Sequence, residues 1–212
     1  MLCVRYPYSK KNLKKNQCIL DIETTGLDPN FDSLVVLGLI YFDKNKDGFY
    51  IDQYFAKNDK EEIKLLKIYT DKIRNKILIT YNGIVFDIPF LNIRLTKYKL
   101  KPVFPENKDL YKTIKSKRKL IRFESMKLVD VEKFIGIERN DPSRYKVISK
   151  LNDDIKDRDK PWPILEHNKN DLIATERLSN IENLINDRLS FEIKDYKIFL
   201  NKAYIDKDLA CI

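Results

Sequence analysis

Residues 33–55 read SLVVLGLIYFDKNKDGFYIDQYF, and this stretch constrains the fold more than any other. Two runs of apolar, β-branched and aromatic residues flank DKNKDG, whose Asp, Asn and Gly suit a tight reversal, so an antiparallel hairpin is predicted. Just before it, QCILDIETTGL is a short apolar run halted at Thr-Thr-Gly: a buried strand that ends in carboxylates. Three consecutive strands of this kind predict a meander at the start of a mixed α/β sheet.

The remaining chain alternates helical and strand patterns. Ile63, Leu66, Ile68 and Ile73 fall roughly at helical spacing behind an Asn-Asp start, and KILITYNG follows as a fourth strand ending at Asn82-Gly83. FDIPFLNIRLTKYKL predicts a helix, since Pro89 is tolerated in a first turn. KDLYKTI predicts a fifth strand, and Ser125 is the expected N-cap of a helix through KLVDVEKFIGI. SRYKVISKLNDDIKD predicts a half-exposed helix. A last long helix is expected over about 164–186, with Leu172, Ile173, Leu178, Ile181 and Ile185 as its apolar stripe. Alternation from Leu189 onward predicts a terminal hairpin. The 212 residues thus divide into a basic N-terminal arm (1–16), one α/β domain (17–186) and a C-terminal extension (187–212). The central domain is expected to be a five-stranded mixed sheet flanked by helices, large enough to bury a core without staples.

A 43% hydrophobic content against 34% charged residues describes a folded chain rather than a disordered one. The apolar run 34–42 is too short to span a bilayer, and the start MLCVRYPYSKKNLKKN lacks the apolar core of a secretory signal. A cytoplasmic protein without membrane association is expected. Cys3, Cys18 and Cys211 are scattered with no CxxC spacing and read as reduced thiols. The net charge of +9 suits a polyanionic partner, although Lys, Asn and Ile, roughly a third of the chain, reflect a compositional skew that supplies part of it. Local clustering is more telling. KTIKSKRKLIR carries no acidic residue, and the N-terminal stretch adds Arg5, Lys10, Lys11, Lys14 and Lys15. Lys115, Lys117, Arg118 and Lys119 are candidate phosphate contacts, the alternative being a solvated face.

Three acidic clusters sit at element ends: Asp21 and Glu23 in DIETTGL, Asp87 in TYNGIVFDIPFL, and Asp171 in HNKNDLIAT. Alternation along a strand puts Asp21 and Glu23 on one face, where both can reach one cation. Convergent carboxylates are costly unless a divalent cation neutralises them, and all-oxygen ligation suits Mg²⁺ or Mn²⁺. His167, the single histidine, and Asp171 are i and i+4 on a helix, so a proton acceptor can stand beside a metal ligand. The plainer roles are strand-end solubilisers for Asp21 and Glu23, a helix cap for Asp87, an exposed helix residue for Asp171 and a structural histidine.

DIETTGL, NGxxFDxPFL and HNxxD, in this order, resemble the three motifs of the DEDD exonucleases of the ribonuclease H-like superfamily, with the YprB-like group the nearest match. The resemblance covers about 19–178, including DLYKTIK and KLVDVEKFIGIERND, which look like the family's DL and LxxVExxLGIxRxD stretches. Three residues separate His167 from Asp171, whereas the histidine subgroup usually has four; the YprB-like group shares the shorter form. The resemblance implies a metal-dependent nuclease acting on DNA or RNA, exonucleolytic from a single-stranded 3′ end. It implies that Asp21, Glu23 and Asp171 hold one Mg²⁺ or Mn²⁺, that Asp21 with Asp87 holds a second about 4 Å away, and that His167 takes the proton of the attacking water. It also implies that Thr24, Thr25, Gly26 and Leu27 touch the terminal nucleotide, the alternative being a plain turn. Asn82 and Phe86 are candidates to seat a sugar or base, and Tyr145 to stack on one, beside their commoner roles in turns and cores. Two other functions share the same pattern: a nucleic-acid-binding module without catalysis, and an internal-cutting nuclease. Protein partners are not legible in the sequence.

Overall fold

The computed structural model describes residues 1–117, 124–136, 139, 141, 142, 145, 148–183, 190–193, 196–199, 204–206 and 209–211. The meander is formed by β2 (Gln17–Thr24), β3 (Leu34–Asp43) and β4 (Gly48–Phe55), preceded by β1 (Leu2–Tyr8). β5 (Ile77–Thr80) and β6 (Asn107–Asp109) complete a six-stranded sheet in the order β1-β4-β3-β2-β5-β6, in which β2, β5 and β6 run parallel. Against the five strands expected, the sixth is β1. Leu2–Tyr8, expected within an arm, pairs antiparallel with β4 from Leu2↔Phe55 to Tyr8↔Phe49. KDLYKTI is a strand only at Lys108 and Asp109; the Asp109 carboxylate accepts from Lys112 N, and the chain turns into helix α3 (Leu110–Ser116).

β3 is the central strand. Nine of its ten residues are buried because helices cover both faces of the sheet. On one face α1 (Glu62–Lys72) and α2 (Asp87–Lys97) press Leu65, Leu66, Tyr69, Phe90 and Leu95 against Leu20, Leu37 and Leu39. Glu62 and Arg94 form a buried ion pair there, and Glu62 also accepts from Leu34 N at 2.8 Å and from Tyr98 Oη at 2.9 Å, so the buried charges are fully bonded.

The other face is covered by α4 (Leu128–Ile135), α5 (Ile148–Asp157) and α6 (Pro161–Leu178). The N-cap of α4 is Lys127, two residues beyond the expected Ser125; Ser125 Oγ accepts from Lys127 N at 3.1 Å instead. α6 starts before the expected 164 because proline suits the first helical positions, and it ends at Leu178 with Ser179 as its cap, short of the expected 186. Its far half is tied to the N-terminus: Glu176 accepts from Tyr8 Oη at 2.9 Å, Lys11 N at 2.9 Å and Asn12 N at 2.6 Å. Near the C-terminus β7 (Ser190–Ile193) pairs with β8 (Tyr196–Phe199), and β9 (Tyr204–Asp206) with β10 (Leu209–Cys211). Among the described residues no helix is long and apolar enough to cross a membrane.

Candidate active site

Asp21 and Glu23 lie at the carboxyl end of β2, on the face opposite Leu20 and Ile22, which are buried against α1 and α2. They therefore point toward α6. Asn168, fully buried on α6, donates from Nδ2 to Asp21 Oδ2 at 2.7 Å, while its Oδ1 accepts from Gln53 Nε2 at 2.7 Å. Gln53 also donates to Leu165 O at 2.8 Å, so a buried relay from β4 through α6 orients the Asp21 carboxylate. Gly38, paired with Asp21 across β3, permits this approach: a Cβ there would collide with Asn168 Oδ1 and with Leu172 Cδ1.

Asp87 is the first residue of α2 and is buried. The loop leading to it starts at Asn82, which adopts a left-handed φ of 64°. The loop is held by Asp109 at the end of β6, whose two carboxylate oxygens accept from Asn82 N and Ile84 N, both at 3.0 Å. This carboxylate serves the site by fixing backbone and by capping α3.

His167 and Asp171 project from α6 toward Glu23. The ligand atoms of Glu23, His167 and Asp171 all lie within 4.8 Å of one another. His167 Nε2 is 3.4 Å from Asp171 Oδ2 and Nδ1 is 3.4 Å from Asp141 Oδ1. Arg139 completes the cluster: it bonds Asp171 Oδ1 through Nη2, lies 3.1 Å from Glu132 Oε2 through Nη1, and lies 2.5 Å from Asp141 Oδ2 through Nε. Asp141 also accepts from Asn170 Nδ2 at 2.8 Å.

The electrostatics follow from burial and crowding. Burial, with Asp171, Glu23 and Asp87 nearby, pushes the Asp21 carboxyl well above the carboxylate range, against the pull of Asn168. Glu23 is pushed up to about 8 by burial and by Asp171 and Asp87, with His167 and Arg139 pulling the other way. Burial pushes Asp87 up to about 7, partly offset by backbone hydrogen bonds at Asp87 and Ile22. His167 moves up to about 9: burial alone would lower it, but Asp141, Asp171 and Glu23 overcome burial. The flanking carboxylates thus favour the protonated imidazole. Carboxylates that hold their protons because they are drawn out of water, and further because they repel one another, form a donor set that a divalent cation would stabilise, and their oxygens fit Mg²⁺ or Mn²⁺.

The other candidates are placed as follows. Thr24 Oγ1 donates to Gly26 O at 2.6 Å and Thr25 Oγ1 to Asp32 Oδ1 at 3.1 Å, which shapes the loop after β2; Leu27 stands 82% exposed beyond it. Phe86 packs on Phe90 at 5.6 Å, at the margin of the core. Tyr145 is buried against α5 and α6 residues, with its ring 6.0 Å from that of His167, so it offers no open stacking face. Lys115 and Lys117 sit in the last turn of α3 and just past it, with no contact to the carboxylates among the described residues; Arg118 and Lys119 lie outside those residues. Gln53, Asp109, Glu132, Arg139, Asp141 and Asn168 carry no expectation in the sequence. The signal for three of them is the GIERND segment and the glutamate before it, which hold Glu132, Arg139 and Asp141.

A meander with parallel strands beside it, carboxylates at one sheet end and a helix crossing over them define a ribonuclease H type of domain. The chain belongs to the RNase_H superfamily, whose family model matches residues 18–182. It is 33% identical over 150 residues to DNA polymerase III PolC-type of Ureaplasma parvum, covering 60% of this chain and 10% of that protein. It is 32% identical over 106 residues to the PolC-type polymerase of Mycoplasma genitalium, covering 40% of this chain and 7% of that protein. The chain thus spans a tenth or less of the curated relatives it matches. In fold it is similar to Escherichia coli exonuclease I bound to a dT13 oligonucleotide, with a TM-score of 0.55 and 14% identity over 82% of this chain and 42% of that one. The family B DNA polymerase of Pyrobaculum calidifontis gives a TM-score of 0.57 and 18% identity, covering 79% of this chain and 24% of that one.

Proposed function

We propose that this chain is a metal-dependent nuclease of the DEDD type that hydrolyses phosphodiester bonds of DNA or RNA from a single-stranded 3′ end. Within the superfamily, its HNxxD motif fits the YprB-like group, and a cytoplasmic setting suits the reading. The observation that carries it is the convergence of Asp21, Glu23, Asp87 and Asp171, three of which are recessed and crowded enough to retain protons well above the carboxylate range. Such a cluster costs a packed domain stability that bound divalent cations would restore.

Asp21, Glu23 and Asp171 would hold one Mg²⁺ or Mn²⁺, and Asp21 with Asp87 a second. Divalent cations at such a site supply Lewis-acid stabilisation of charge on the phosphate and make water a nucleophile near neutral pH. The chain's own residues do the rest. Asn168 and Gln53 fix the direction of the Asp21 carboxylate. His167 accepts the proton of the attacking water at Nε2 while Asp141 holds the ring from the Nδ1 side. A cation held by Glu23 and Asp171 would offset two of the fields that favour the protonated His167 and so would ease its service as a base. The loop from Thr24 to Leu27 and the exposed end of the Asn82–Phe86 turn border the site and contact the terminal nucleotide. The fold shared with an exonuclease bound to dT13 supports a single-stranded substrate.

The test is a product ladder from 3′- and 5′-labelled single- and double-stranded DNA and RNA, with Mg²⁺ and with Mn²⁺. Mononucleotides released from the 3′ end are expected. Internal fragments would make the enzyme an endonuclease, and no hydrolysis by the folded protein in any combination would make it a binding module.

A further inference from the structure

At the end of the sheet away from the carboxylates, the last turn of α1, the start of β5 and the loop before β6 enclose an open groove of about 630 Å³. Ile77, at its wall, pairs with Gln17 at the opposite end of β2 from Glu23; at about 3.3 Å per residue the two regions are roughly 20 Å apart. Four cations line it, Lys67, Arg74, Lys76 and Lys101, against the single carboxylate of Glu106. Among the described residues Lys67, Arg74 and Lys101 are exposed and make no ion pair. The cationic N-terminal stretch borders the groove, because Ile77 N donates to Asn16 O at 2.9 Å and Lys76 Nζ lies 3.5 Å from Lys15 O.

Charge alone would describe a solvated face. Phe104 changes the reading: it lines the same groove and is 84% exposed, a large aromatic ring held in water beside four cations. A polyanion without rings would gain nothing from it, whereas a single-stranded nucleic acid offers both phosphates for the cations and a base for the ring.

We infer that this groove is a second nucleic-acid contact, which holds the phosphodiester backbone of a single strand on Lys67, Arg74, Lys76 and Lys101 and stacks a base on Phe104. The identity of the polymer rests on the nuclease reading; the contact itself does not. Its role is affinity for long strands, since it is too far from the carboxylates to touch the reacting phosphate.

Fluorescence anisotropy with labelled dT20 in EDTA measures the contact without hydrolysis. The K67A/R74A/K101A variant should lower the slope of log affinity against log salt by about 2, from a loss of roughly 0.7 per phosphate contact on a single strand. Phe104→Ala should weaken binding about fivefold or more at unchanged slope. Turnover of a dinucleotide, too short to reach the groove, should be the same in all three proteins, while KM for dT20 rises in both variants. An unchanged slope and affinity in the triple variant, with melting curves that match wild type, overturns the inference. So does a polyglutamate competitor that displaces dT20 as well as unlabelled dT20 does, with no effect of Phe104→Ala, since that behaviour belongs to an acidic protein partner. If wild type binds dT20 through the groove but cleaves nothing, the nuclease reading fails and this one stands.

Discussion

Raising the pH of the metal-free protein from about 5 to about 8 should destabilise it, and a divalent cation should remove that loss. Glu23 gives up its proton at about 8 in the fold against 4.5 ordinarily, and Asp87 at about 7 against 3.8. Asp21 moves in the same direction, and burial pushes Glu132 up to about 7 despite Arg139. A carboxyl whose folded pKa lies above its unfolded value stabilises the fold fully below the unfolded value; that contribution is lost as pH climbs through the folded one. His167, at about 9 against 6.5, acts in the same sense. A displacement of about three pH units corresponds to roughly 4 kcal/mol, and because the carboxylates repel one another their contributions are shared, so one such amount sets the scale. In a domain of this size a loss of about 4 kcal/mol lowers Tm by roughly 8–16 °C. Circular dichroism melts in EDTA across this pH range, repeated with millimolar Mg²⁺ or Mn²⁺, measure it directly. Glu23→Gln should reduce the EDTA slope and the cation effect, leaving the part carried by Asp87, Glu132 and His167. A Tm in EDTA that is constant or rises over this range, or a slope undiminished in Glu23→Gln, refutes the account of a cluster strained by burial and by its own charge.

Three further outcomes are expected. Asp21→Ala should lower turnover by a factor of about a hundred or more with the fold intact by circular dichroism, because Asp21 is shared between both proposed cation positions. His167→Ala should lose rate while cation affinity by calorimetry stays near wild type, as befits a base; a parallel loss of affinity would make His167 a ligand beside Glu23 and Asp171. Arg139→Ala should cost about 3–5 kcal/mol in denaturant unfolding at neutral pH by stranding Glu132, Asp141 and Asp171, and adding Glu132→Gln should restore part of it.

The meander was legible because β-branched runs and a DKNKDG turn are local signals, and the carboxylates because they stand at strand and helix ends in a motif order. β1 was harder to read. LCVRYPY alternates in exposure, but Arg5, Pro7 and the cations that follow resemble a solvated arm until β4 offers it an edge. KDLYKTI carries strand-forming residues, yet the Asp109 carboxylate caps a helix there, which is a choice made by one hydrogen bond. Asn168 and Gln53 look like any polar residues in a sequence; their role arises from a contact between positions 115 residues apart. Arg139, Glu132 and Asp141 lay within a stretch matched to the family, but nothing local says that a guanidinium there will meet Asp171.

α6 is pinned at two places. Asn168 is locked to β2 and β4 near the middle of the helix, and Glu176, eight residues further and about 12 Å along the axis, is locked to the N-terminal segment. A rod held at one point can swing or roll about it; held at two, it can do neither. Asp171 lies between the pins and His167 one residue outside them, so both sit on or beside the stretch of α6 that these bonds hold against β2. The site's accuracy is therefore shared with its most distant anchor, where Tyr8 and the amides of Lys11 and Asn12 serve as the far bearing of a mechanical arm whose working point is the carboxylate cluster.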